Sequence, residues 1–154
     1  MNMTTMTNAE AADAIRGHHA EMATELGRRV DAVASAVRDG RPHRDAQQDL
    51  LAYLDEELLP HAAAEEKALY PAGDTGLVAL LVRSMRDEHV NLVSHVDGFR
   101  NTTDAVEAVA TSSAIRALFE SHLYKENELL VPALVADPSV SLDVLLGGMH
   151  ELLG

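Results

Sequence analysis

The segment His61–Pro71, HAAAEEKALYP, returns 61 residues later as His122–Pro132, HLYKENELLVP. Each copy places His first, Glu four residues on, Leu eight on and Pro ten on. A helix advances about 100° per residue, so His and Glu at i and i+4 stack on one face about one turn apart. One such pair can hold one ion. Two copies facing each other can hold two, with each carboxylate free to bridge.

The rest of the chain reads as helices that carry these two pairs inward. Thr7 followed by Glu10 has the form of a capping box, after which Ile15, Met22, Leu26, Val30, Val33 and Val37 recur at three- and four-residue steps. This predicts a helix over about 8–38, ended by Asp39-Gly40-Arg41-Pro42. A second helix over about 44–70 carries Leu50, Leu51, Leu54, Leu58, His61 and Leu69. Pro60 inside it predicts a kink or local unwinding next to His61. Pro71-Ala-Gly-Asp-Thr-Gly76 reads as a turn. The third stripe is Val78, Leu81, Val82, Met85, His89, Leu92 and Val96, and the fourth runs from Val109 through Ile115, Phe119 and His122 to Val131.

Two antiparallel helices with His89 and His122 at one level split the 32 residues between them into two arms and a short turn, placed near Asn101, Thr102 and Thr103. The same arithmetic on His19 and His61 centres a turn at Gly40, where composition already puts one. The expected fold is therefore all-α, an up-down-up-down four-helix bundle over about 8–136. The tail, 137–154, adds a short C-terminal helix from Val140 to Leu153, weakened by Gly147-Gly148. At 154 residues the chain is expected to form a single domain, 1–154, around one core.

Composition narrows the chemistry. Aromatic residues are 3% of the chain, and the abundance of Ala, Leu, Val and Glu favours helix. A net charge of −13 argues against nucleic acid and against anionic membrane surfaces as partners. The absence of cysteine excludes disulfides, thiolate metal sites and cysteine nucleophiles, leaving eight histidines as the softest ligands. The N-terminal stretch lacks a basic start followed by an apolar run, and no segment approaches the roughly 18 apolar residues of a membrane span. A cytoplasmic protein, monomeric or weakly homo-oligomeric, is expected.

The first and third helices echo each other too: Ile15, His19, Met22 repeats as Met85, His89, Leu92. Bundle geometry sets each lone His level with the neighbouring His-x-x-x-Glu, so His19, His61, Glu65, His89, His122 and Glu126 converge. A lone His on an apolar stripe is commonly a core residue, and a helical Glu is commonly solvated. Four His and two Glu on the inward faces of all four helices, however, cannot be satisfied pairwise without a cation. Imidazole and carboxylate without thiolate suit iron, manganese or zinc, and shared carboxylates favour a two-metal centre. No His follows a Glu by three residues and no HExxH occurs, which separates this chain from ferritin-like bundles and zinc proteases.

The order His, HxxxE, His, HxxxE on four successive helices, with a Pro after each HxxxE block, resembles the hemerythrin-like proteins of the HHE cation-binding type over about residues 10–135. The resemblance implies a non-haem di-iron centre bridged by an oxo or hydroxo group and by Glu65 and Glu126. His19 and His61 would serve one iron, His89 and His122 the other. Small ligands of such a centre are dioxygen, hydrogen peroxide and nitric oxide. Oxygen-carrying hemerythrins have a further His one turn after the third-helix His, and that position here is Val93. The departure implies open coordination positions and an oxidoreductase reacting with peroxide or oxygen in a catalase-like way. The alternative is a non-catalytic module that binds or senses oxygen, nitric oxide or iron.

Several neighbours are weighed as substitutes for the missing His. Glu57 lies one turn before His61 and about 40° around the wheel, Tyr53 two turns before and about 80° away. Glu57 is expected to be solvated or to stand behind a ligand, and Tyr53 to be a core or boundary aromatic. Tyr70 and Tyr124 are expected to point elsewhere. His18 competes with His19, but only His19 keeps the Ile15 to Met22 stripe. His43, His95 and His150 read as surface or tail residues.

Overall fold

The computed structural model describes residues 5–154; residues 1–4, which belong to the stretch read above as lacking a secretory signal, lie outside the described part. The first helix, α1 (Asn8–Arg38), starts on the expected capping box: the Thr7 side chain accepts from the Glu10 N–H while the Glu10 carboxylate accepts from the Thr7 N–H. It ends at Asp39, and Gly40 takes φ 67°, the left-handed conformation that glycine adopts without a Cβ penalty.

The second arm is α2 (Arg44–Tyr53) followed by α3 (Leu59–Ala68), with a π-helical turn at Leu54–Leu58 between them. Pro60 has no N–H to give the Glu56 carbonyl, and its ring would crowd that carbonyl in a straight α-helix. The backbone widens instead, so that the Leu59 N–H bonds to Leu54 five residues back. The unwinding expected from Pro60 is thus spread over the turn before it. The third arm, α4 (Val78–Asn101), turns at Thr102–Thr103 into α5 (Ala105–Lys125), whose Asp104 side chain caps the Glu107 N–H. A second π-helical turn, Glu126–Leu130, leads into α6 (Val131–Ala136), with Val131 N–H bonded to Glu126 and Pro132 directly after. The tail forms α7 (Leu142–Leu153), helical straight through Gly147 and Gly148.

Each π turn therefore ends two residues before a proline, Pro60 or Pro132. The repeat read from sequence pairs Pro132 with Pro71, and there the backbones part. Pro71 lies in a 3-10 turn, Tyr70–Gly73, that ends its helical arm, whereas Pro132 lies inside a continuing one.

α1 packs on α2 and α5, α4 on α5 and α3, and α7 lies across α3 and α1, giving the four-helix bundle with its appended helix. No strand occurs among the described residues, and no described helix is long and apolar enough to cross a membrane. The buried apolar side chains fall into two clusters. One holds Met22, Leu26, Leu54, Leu58, Leu92, Phe99, Ile115 and Phe119. The other holds Ile15, Leu69, Tyr70, Met85, Leu130, Leu134, Leu142 and Leu146. Each ligand-bearing arm passes from one cluster to the other: Ile15 to Met22 in α1, Leu58 to Leu69, Met85 to Leu92 in α4, and Phe119 to Leu130. The six candidate ligands sit at the crossing, as a polar layer between two apolar blocks.

Candidate metal centre

All six side chains are buried: His19, His61, Glu65, His89, His122 and Glu126 are each between 0 and 6% exposed. The polar layer is thus a closed interior, where an ionised group without a partner costs several kcal/mol. All four histidines turn Nε2 inward. His89 Nε2 and His122 Nε2 are 2.9 Å apart, and His122 Nε2 is 2.6 Å from Glu126 Oε1. His19 Nε2 lies 3.1 Å from Glu126 Oε2 and 3.7 Å from Glu65 Oε2, while Glu65 Oε1 lies 3.6 Å from His61 Nε2 and 3.9 Å from His89 Nε2. Each carboxylate spans both halves of the layer, with one oxygen toward His19 and the other toward His89 or His122.

Tyr70 belongs to this layer, against the expectation that it points elsewhere. Its hydroxyl donates to Glu126 Oε1 at 2.5 Å and lies 3.2 and 3.1 Å from the Nε2 atoms of His89 and His122. The expectation fails because a uniform wheel does not hold past Ala68: α3 ends there and Tyr70 opens the tighter 3-10 turn, which swings the ring back under the bundle. Gly73 permits the tuck, since a Cβ there would meet Val82 and Leu130 at 2.9 and 3.0 Å. The sequence does hold a sign of this. Tyr70 is the residue before the proline in the first copy of the repeat, where the second copy has Val131.

The other candidates fall where the alternatives put them. Tyr53 is a buried aromatic whose hydroxyl donates to the Met22 carbonyl at 3.3 Å, and Glu57 is exposed. Tyr53 lies before the π turn at Leu54–Leu58 and Glu57 inside it, so wheel angles counted back from His61 do not carry through to either. Val93 is 44% exposed, and Tyr124 64%. His18 is exposed beside the buried His19; His95 and His150 are exposed and His43 half-buried.

A set of partners missed by the sequence reading lies behind the ligands. His19 Nδ1 meets Asn127 Oδ1 at 2.7 Å, His89 Nδ1 meets Glu66 Oε1 at 2.9 Å, and His122 Nδ1 meets Glu88 Oε1 at 3.4 Å. With Nε2 turned inward, Nδ1 carries the proton and donates outward, the arrangement that fixes a metal-binding imidazole. Glu66 and Asn127 each directly follow a Glu of the repeat, a positional signal present in the sequence.

The protonation of the layer reflects its crowding. Burial, reinforced by the charge of Glu65, raises the Glu126 carboxyl to about 7. Burial opposes ionisation of Glu65 as well, but the neighbouring Glu126 carboxyl and the charge of His61 hold it well below the carboxylate range. Burial would lower His19, yet the nearby carboxylates of Glu65 and Glu126 outweigh this and raise it to about 9. His89 is lowered by burial and by His122, and Tyr70 is raised by burial and by both carboxylates. Protons on Glu126 and His19 thus offset charge that a cation would otherwise balance.

The donor set fits a metal ion. Donors about 2.1 Å from one ion in adjacent positions stand about 3 Å apart, the spacing seen among Tyr70, His89, His122 and Glu126. Within the layer, Glu65 Oε2, Glu126 Oε2 and both ring nitrogens of His61 are buried without any hydrogen-bond partner. Two orphaned carboxylate oxygens beside an unpaired imidazole call for a cation. The donors form two groups that share Glu65: Glu65 with His89, His122 and Glu126, and Glu65 with His19 and His61.

A helical bundle with an interior layer of imidazole and carboxylate donors, free of thiolate, defines a class of non-haem metal-binding bundle proteins. A family model, the hemerythrin HHE cation binding domain, matches residues 10–134. The chain belongs to that family. No curated protein and no solved structure matches it.

Proposed function

We propose that the layer is a non-haem di-iron centre that reacts with hydrogen peroxide or dioxygen, with catalase-like decomposition of peroxide to dioxygen and water as its activity. The observation that carries the reading is the set of buried, unpartnered acceptors, Glu65 Oε2, Glu126 Oε2 and His61 Nε2, among imidazoles all aimed at one another. In this reading Glu65 and Glu126 would be shared between two ions, one held by His19 and His61 and the other by His89 and His122. Bound iron would supply the redox equivalents of either reaction, and the protein sets access, orientation and protons.

The chain's own residues supply those three functions. Tyr70 holds a phenolic proton against Glu126 in the half where Val93 contributes nothing. Asn127, Glu66 and Glu88 keep three imidazoles in the tautomer that presents Nε2. A groove of about 660 Å³ lined by His18, Glu21, Tyr53 and Glu57 reaches His61 from solvent, a polar route suited to peroxide. A cavity of about 180 Å³ under α7, walled by Ile15, Leu69, Leu146 and Met149, ends on His19, His61 and Glu65. Its apolar walls favour a second reading, reversible binding of dioxygen or nitric oxide without turnover. Either reading takes the chain as one domain acting in the cytoplasm, monomeric or weakly associated.

Elemental analysis and an oxygen electrode test both. Two iron ions per chain, with dioxygen evolved on adding hydrogen peroxide, support the first reading. A stable spectrum of the ferrous protein with dioxygen or nitric oxide, and no evolution from peroxide, replaces it with the second. Zinc in place of iron removes both.

A further inference from the structure

The two halves of the layer differ in what stands behind their ligands. Behind His89 and His122 are two carboxylates, Glu66 at 2.9 Å and Glu88 at 3.4 Å, and Glu88 is itself held by Lys125 Nζ at 2.9 Å. Behind His19 is the neutral amide of Asn127. Behind His61 there is nothing: its Nδ1 is buried with no partner, and its closest aromatic neighbour is the ring of His18, 5.1 Å away between centroids. A carboxylate accepting from Nδ1–H makes Nε2 a more basic ligand and locks the ring. An amide locks the ring without adding charge, and an absent partner does neither.

Donor number runs the same way. The half with the carboxylate-backed imidazoles gathers four donors, Glu65, His89, His122 and Glu126, with the Tyr70 hydroxyl among them. The other gathers His19, His61 and the shared Glu65, with Glu126 Oε2 reaching across to His19.

We propose that the layer fills in order: the half formed by His89, His122, Glu126 and Glu65 takes one ion first and retains it, and the half formed by His19, His61 and Glu65 takes a second ion weakly and exchanges it with solvent. The inference rests on the reading of the layer as a two-metal centre. Repulsion between two dications sharing carboxylates acts further against the second ion. A partner behind a ligating His is worth about 10–100-fold in metal affinity, so two carboxylates against one amide separate the steps by on the order of 100-fold. A singly loaded protein is then a populated species, and Glu66 and Glu88 are the positioning residues that create it.

The test is titration of the metal-free full chain with Co(II), followed by calorimetry and visible absorption. Crystals grown at one equivalent, with anomalous scattering at the cobalt edge, locate the first ion. Two resolved steps are expected, with the first ion between His89 and His122. Glu66→Gln and Glu88→Gln are each expected to weaken the first step about 10–100-fold and leave the second in place, while Asn127→Ala weakens only the second. A single cooperative uptake of two ions overturns the order of filling while leaving the metal centre standing, as does a first ion seated between His19 and His61. Because the crystals use the unaltered chain, this result does not depend on the variants folding. Uptake of no Co(II) at any ratio overturns both the order and the centre.

Discussion

Tyr70 and Glu126 are 56 residues apart in sequence, yet the Tyr70 hydroxyl gives Glu126 Oε1 one of the shortest hydrogen bonds in the protein, 2.5 Å. The bond joins the 3-10 turn at the end of the second arm to the π turn in the fourth. It places a phenol beside the His89 and His122 imidazoles.

Tyr70→Phe keeps the ring in its cluster but removes the oxygen. The metal-free protein should lose about 1–3 kcal/mol in urea unfolding, because Glu126 loses a buried partner. Retention of iron against a chelator should fall with it. Unchanged iron retention and an unchanged visible spectrum would remove Tyr70 from the centre.

Glu126→Gln separates function from stability. Burial and Glu65 already push this carboxyl to about 7, so the buried charge works against the folded metal-free state at neutral pH. A glutamine oxygen can still accept from Tyr70. The variant should match or exceed the metal-free parent in Tm while its metal content collapses, the trade expected where a site is built at the expense of stability. A large loss of Tm in the metal-free form would show that Glu126 serves the fold instead.

Metal removal should lower stability by an amount that grows with the logarithm of the affinity. A ligand bound only by the folded state adds RT ln(1 + [L]/Kd), about 2.7 kcal/mol at a hundredfold excess over Kd. Differential scanning calorimetry with and without chelator checks this, and identical curves would mean that no ion occupies the layer.

Arg100 forks onto Asp55, with both nitrogen to oxygen distances 2.7 Å, tying α4 to the first π turn. The guanidinium holds the Asp55 carboxyl below its ordinary range. Its contribution is present above the unfolded pKa and fades as pH falls through the lower folded one. Both groups are about two-fifths exposed, which limits the pair to about 0.5–1 kcal/mol. Arg100→Ala should cost that much at pH 7, with the gap to the parent closing below about pH 3.9. A gap that persists at pH 2 would assign the loss to packing.

Leu146→Ala should cost about 2–4 kcal/mol and enlarge the cavity under α7. Faster binding of nitric oxide to the iron-loaded variant in stopped flow, at unchanged metal content, would mark the cavity as a route. An unchanged rate would leave the groove as the way in.

How far the sequence revealed this molecule depended on whether a residue obeys regular helical geometry. The cap at Thr7, the turns at Gly40 and at Thr102–Thr103, and the inward convergence of His19, His61, Glu65, His89, His122 and Glu126 follow from 3.6-residue periodicity and the repeat. Tyr70 escaped the helical wheel because it opens a 3-10 turn, and only its place before the proline of the first repeat copy marked it. The wheel positions of Tyr53 and Glu57 lost meaning across a π turn whose presence no periodicity announces. Asn127, Glu66 and Glu88 looked like ordinary helix-surface polar residues, and only their seats beside repeat ligands set them apart. The π turn after Glu126 was hidden because the repeat pairs Pro132 with Pro71, and the two prolines occupy different backbones.

Each π turn stores one residue that an α-helix of the same rise would not need. The surplus in Leu54–Leu58 lies upstream of His61, and that in Glu126–Leu130 begins at Glu126 and runs downstream. Deleting one residue from the first stretch would change how α2 is clocked against His61 while the layer and everything after it kept their spacing. A deletion after Asn127 would leave the His122 to Glu126 step whole and rotate α6 against α1. The bundle thus carries two places where chain length can be edited by a single codon, one on either side of the polar layer, without altering the four-residue interval on which the layer depends.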